Sequence, residues 1–144
     1  MKTFANIQAS LLQKVALFSA QLGHTPINFD AVHDVNSLSD LSYVGLASLS
    51  VQETDVGEAV SAIIVVVTRD DTNNMRLSDS IAEIYEQCKK EVTWDLVNAD
   101  TGDTCGFMVM VEGTAVLPVT QPSETMVSQA IQFNALCVQG LTQS

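Results

Sequence analysis

The run Glu58 to Thr68, EAVSAIIVVVT, constrains the fold more than any other segment of the chain. Its uninterrupted apolar core, Ala62 to Val67, is far shorter than the roughly 20 residues a membrane-spanning helix needs. Its valines and isoleucines favour a pleated, extended backbone. Apolar residues occupy both faces of that pleat. The run therefore reads as a central strand covered on both sides, or on one side by a neighbouring subunit.

The flanking segments supply a sheet and two helices. From Leu41 to Val51, Tyr43, Gly45, Ala47, Leu49 and Val51 alternate with smaller or polar neighbours, as a strand does. The acidic link Gln52 to Glu58, with Gly57, joins that strand to the central one. Upstream, Phe4, Ile7, Leu11, Val15, Phe18 and Leu22 recur at helical spacing over residues 3 to 22, with Asn6, Gln13, Lys14 and Gln21 opposite and Gly23 as the C-terminal stop. The stretch His24 to Asp40 reads as a loop with a short strand or turn at Ile27 to Phe29. After the polar turn Asp70 to Asn74, Ile81, Ile84, Tyr85, Cys88 and Val92 line a second helix. Ser80 with Glu83 has the spacing of a capping box, and Ser78 or Asp79 offers an alternative cap. Strands are expected at Val92 to Val97, Cys105 to Val111 and about Thr125 to Val138, with an extension at Val116 to Val119, and Pro118 and Pro122 interrupt any ladder there. The expected fold is α+β: one domain over residues 1–144, with a mostly antiparallel sheet of four to five strands and two amphipathic helices packed on one face.

Composition enters where surface is concerned. Of the 144 residues 47% are hydrophobic and only 16% charged, so some apolar surface is expected to be buried against partner chains. The net charge of −11 repels phosphate backbones and excludes dedicated nucleic-acid binding. Near the N-terminus Asn6, Gln8, Gln13 and Lys14 break the apolar run that a signal peptide would need, and a soluble cytosolic protein is expected.

No constellation dictates a chemistry. Cys88, Cys105 and Cys137 are far apart and read as reduced packing residues rather than zinc ligands. Asp30, His33 and Asp34, with His24 nearby, could hold a divalent ion but suit a solvated loop better, and Asp70-Asp71 runs into Thr72, Asn73 and Asn74 as a turn does. The glycines at 102, 106 and 113 form no phosphate loop, and there is no nucleophile elbow. Phe107, Met108, Met110 and Met126 suit packing within the subunit or between subunits, while Tyr43 and Trp94 are either interface anchors or core. No catalytic, metal-binding or cofactor-binding residue is assigned.

The order of elements resembles the tail terminator (tail completion) proteins of long-tailed bacteriophages. The resemblance covers the opening helix Phe4 to Leu22, the strands YVGLASLSV and EAVSAIIVVVT, the helix after the DDTNN turn, and the closing strand SQAIQFNALCV with its late Phe133. Members often carry a Gly-Trp-x-Pro-like stretch after the second helix, where this chain has Val92-Thr93-Trp94-Asp95. The resemblance implies a structural virion protein, assembled in the host cytoplasm, that forms a ring of identical subunits, a hexamer in the family. Its partners would be the tail tube protein and the head-tail connector or neck, with DNA passing through the ring and no membrane involved. Inter-strand loops and edges would carry the contacts. The expected interface residues are Glu53, Thr54, Asp55, Val56 and Glu58 in the acidic link and Asp70, Asp71, Asn73 and Asn74 in the turn. Two other readings remain open: a dimeric α+β binding or regulatory module, and a metal-dependent enzyme using Asp70, Asp71 or His33.

Overall fold

A computed structural model describes residues 3–28 and 40–139. The chain runs α1 (Thr3–Leu22), β1 (Thr25–Asn28), β2 (Ser42–Thr54), β3 (Gly57–Arg69), a short 3-10 turn (Thr72–Asn74), α2 (Met75–Gln87), β4 (Thr93–Val97), β5 (Thr104–Met110), β6 (Ala115–Val116) and β7 (Met126–Gln139). The apolar run is the middle of β3, which β2 and β7 flank antiparallel over almost its whole length.

The strands form one seven-stranded sheet in the order β1-β2-β3-β7-β5-β4, with β6 beside β7. The sheet curls into a half-barrel and holds 46% of the described residues against 29% in helix. The expectation of an α+β fold built on four to five strands is therefore corrected to a larger, sheet-dominated architecture. Two short strands account for the difference in count. β1 contains Pro26, which an edge strand tolerates because its missing N–H faces outward, and β1 pairs parallel with Tyr43 to Leu46 of β2. β6 is only two residues long, too short for any alternation to show in sequence. Curvature has a local source as well, since the register shifts between Leu46 and Ser48 and such bulges sharpen strand twist.

The main core lies against one face of this sheet. Ile7, Leu11, Val15 and Phe18 of α1 and Leu77, Ile81 and Ile84 of α2 pack with Val60, Ala62, Ile64 and Val66 of β3 and Ile131, Phe133 and Ala135 of β7. Trp94 is buried there, its ring 6.0 Å from Phe18 and 5.1 Å from Phe133, and its Nε1–H donates to the Gln87 carbonyl at 2.8 Å. On the opposite face of β3, Ile63 and Val65 are only half-buried, and no described helix covers them. A smaller cluster of Tyr43, Val67 and Met126 closes one end of that face. Tyr43, Trp94, Met108, Met110 and Met126 are thus core residues. Among the described residues no helix is long and apolar enough to cross a membrane.

Candidate functional site

The two halves of the expected interface sit at opposite ends of β3. The acidic link is the tip of the β2–β3 hairpin, and the Asp70 to Asn74 turn follows the far end of the same strand. At about 3.3 Å per residue, the 13-residue strand separates them by roughly 40 Å of chain. They form two separate surfaces; in the second, Asp70 and Asn73 are exposed, Asn74 is half-buried and the Asp71 side chain is buried.

At the hairpin tip Glu53, Thr54, Asp55 and Val56 are exposed, Val56 by 72%, and Glu58 is half-buried. The turn is tight: Thr54 Oγ1 donates to the Gly57 carbonyl at 2.5 Å and accepts from the Val56 N–H at 3.4 Å. Gly57 has φ of +143°, and a Cβ there would lie 2.5 Å from the Cys137 carbonyl oxygen of β7. Glycine is therefore required both by its backbone angle and by the close approach of β7. Among the described residues nothing pairs with the outer edge of β2 from Ala47 to Thr54, since β1 pairs with Tyr43 to Leu46.

At the other end, Asp71 is a structural residue. Its carboxylate, 2% exposed, accepts from the backbone N–H groups of Arg76 (3.0 Å) and Leu77 (2.8 Å) and from the Thr68 hydroxyl (3.0 Å). It thereby caps the first turn of α2 across an intervening bend in which Asp70, Asn73 and Asn74 all have positive φ. Burial pushes the Asp71 carboxyl up; the two backbone donors, the Thr68 hydroxyl and the Arg76 charge together outweigh it and hold the group below its ordinary value. The capping residues suggested by the sequence are not the ones used. Ser80 lies inside α2, where its hydroxyl meets His24.

That contact belongs to a clip that sequence reasoning missed. His24, just past the end of α1, lies with Nδ1 2.6 Å from Ser42 Oγ at the start of β2 and Nε2 2.5 Å from Ser80 Oγ of α2. Burial, then the nearby Arg76 charge, lowers its pKa. The neutral ring accepts one proton and donates the other, so it ties three elements together at one point. Among the described residues no carboxylate orients the ring, and Ser80 is buried, so the arrangement suits a structural clip rather than a nucleophile and base.

A second missed feature is the groove between α1 and the edge strand β4, about 570 Å³ and lined by Lys14, Leu17 and Ala20 on one side and Trp94, Asp95 and Thr104 on the other. Asn6, expected on the polar face of α1, is buried. Its Oδ1 accepts from the Ala99 N–H at 2.9 Å, and Ser10 Oγ accepts from the Val97 N–H at 2.8 Å. Two polar side chains of α1 thus satisfy the end of β4, which no helical periodicity could disclose.

Among the described residues no cluster of three or more histidines, cysteines or acids could hold a metal ion. The candidates Asp30, His33 and Asp34 lie outside the described residues. The thiols of Cys88 and Cys137 are buried, and burial pushes them up to about 12 and about 11.

No family model matches the chain. No curated protein matches it either. Seven solved chains do. One of them superposes with a TM-score of 0.58 at 9% identity, covering 96% of this chain and 97% of its own. At that identity the likeness extends to the fold alone.

Proposed function

We propose that this protein is a structural assembly subunit, of the kind found in phage tail terminators, which works by forming a ring of identical copies at the end of a tail tube. The observation that carries this reading is the set of half-exposed apolar residues on the face of the sheet that no described helix covers. Ile63 and Val65 of β3 stand half-exposed on that face, opposite Gln132 and Ala130 of β7, and Leu136 and Val138 of β7 with Val109 and Phe107 of β5 form a second half-exposed group further along it. Burying such a surface between copies is favourable at about 25 cal/mol per Å² of apolar area. The edge of β2 beyond Leu46, which no described strand pairs, adds backbone groups that favour pairing between chains.

The acidic charge agrees with a ring that encloses DNA without holding it, because −11 per copy repels phosphate. The partners on this reading are further copies, the tail tube protein below and the connector or neck above, and the ring works by contact, without catalysis, as part of the virion. Negative-stain microscopy of the protein mixed with isolated tail tubes tests the reading. Rings capping one tube end are expected. A discrete dimer that ignores tubes would favour a binding module instead.

A further inference from the structure

The groove between α1 and β4 carries a cation that the described fold leaves without an ion pair. Lys14 is half-buried there, its Nζ 5.4 Å from the centroid of the Trp94 ring and 5.6 Å from that of Phe18. The chain has six lysines and arginines. Lys89 pairs with Glu86, Lys90 with Glu112 and Arg76 with Asp71, whereas Lys14 makes no ion pair among the described residues. Beside it Leu17 is 46% exposed, giving the helix side of the groove an apolar shoulder.

The strand side of the groove is a sheet edge. Among the described residues β4 is the last strand on its side of the sheet and pairs with β5 alone. The Val97 N–H points away from β5 to reach Ser10, and outward groups recur every second residue of an antiparallel strand. Thr93 and Asp95 therefore turn their backbone N–H and C=O groups toward the outer edge, where Asp95 lines the groove. A strand added here would find backbone partners, an apolar helix shoulder and one cation.

The opposite end of the sheet offers the complement. The edge of β2 from Ala47 to Thr54, which no described strand pairs, ends in a tip with Glu53, Asp55 and Glu58 around the exposed Val56. We propose that the β2–β3 hairpin of one copy docks in the α1–β4 groove of the next, with β2 adding to β4, Glu53 and Asp55 facing Lys14, and Val56 packing against Leu17. This inference rests on the assembly reading and names the surfaces that perform it. Because the two surfaces differ and lie at opposite ends of one sheet, the contact is head-to-tail, the type that closes into a ring rather than a two-fold dimer. Asp95, on the groove's other rim, repels an acidic tip and directs it toward Lys14.

Charge exchange tests the docking. Sedimentation equilibrium of the full chain at about 0.15 M salt, where surface charges still act over about 8 Å, gives the association constant of wild type, Lys14→Glu, Asp55→Lys and the double variant. Each single reversal is expected to weaken association about tenfold, and the double variant to recover most of the loss. Asp55 lies in an exposed turn, so Asp55→Lys and Val56→Asp remain informative even if Lys14→Glu disturbs the fold. Association indifferent to the single reversals, or not recovered in the double variant, overturns this docking and leaves the assembly reading standing. A chain that stays monomeric at every concentration and on tail tubes overturns both.

Discussion

Replacing Asp71 with alanine removes the group that starts α2. The loss has two parts. A helix cap is worth about 1 kcal/mol, and donors stranded without their charged acceptor add about 2 kcal/mol. The Arg76 guanidinium contributes little, since its Nε is 3.7 Å away and its side chain is 41% exposed. Asp71→Ala is therefore expected to destabilise by about 3 kcal/mol. With an unfolding entropy of about 2 cal/mol/K per residue, that lowers the melting midpoint of 144 residues by roughly 10 °C. Asp71→Asn keeps one acceptor oxygen and should lose about half as much. The carboxyl is held below its ordinary value of 3.8, so its contribution is present above pH 3.8 and is lost as the pH falls below it. The Asp71→Asn variant has no carboxyl to titrate at this position and loses that dependence. Urea and thermal melts followed by circular dichroism across this range provide the assay. An alanine variant within about 0.5 kcal/mol of wild type would refute the capping argument, because surface substitutions scatter by that much.

Other perturbations have equally definite outcomes. His24 has a lowered pKa, so its clip stabilises fully above its ordinary value of 6.5 and weakens as pH falls below that; His24→Gln should flatten the stability profile there, and an unchanged profile counts against the clip. Ser10→Ala leaves the buried Val97 N–H without its acceptor and should lower stability by about 2 kcal/mol in a denaturant titration. Gly57→Ala drives a Cβ against the Cys137 carbonyl and should destabilise by about 2 kcal/mol or more, with loss of amide protection along β7 in hydrogen exchange. With a disulfide reagent at about pH 8, Cys105 should react in the native protein while Cys88 and Cys137 wait for unfolding; three fast thiols would contradict the burial that raises the other two.

Elements with a complete local period were legible in the sequence. α1 spans Thr3–Leu22 as the spacing of Ile7, Leu11, Val15 and Phe18 requires, and β3 and β7 lie where their apolar residues placed them. Elements fixed by distant partners were not. The start of α2 depends on a carboxylate outside the helix, acting across a bend with two left-handed asparagines, so the serines near Ser80 gave a false signal. β1 exists because β2 offers it an edge, despite Pro26. The expected interface joined two acidic segments because both are polar loops, and β3 then holds them at its opposite ends. The groove at Lys14 brings residue 14 beside residue 94, a juxtaposition that depends on α1 packing against β4 and leaves no mark in either segment alone.

The claim that this sheet is completed by further copies of itself is tested most directly by native mass spectrometry of the full chain over a range of concentrations. Closed rings of one stoichiometry, lost when Asp55→Lys alters the hairpin tip, are the predicted result. A monomer at every concentration, with or without tail tubes, would contradict it.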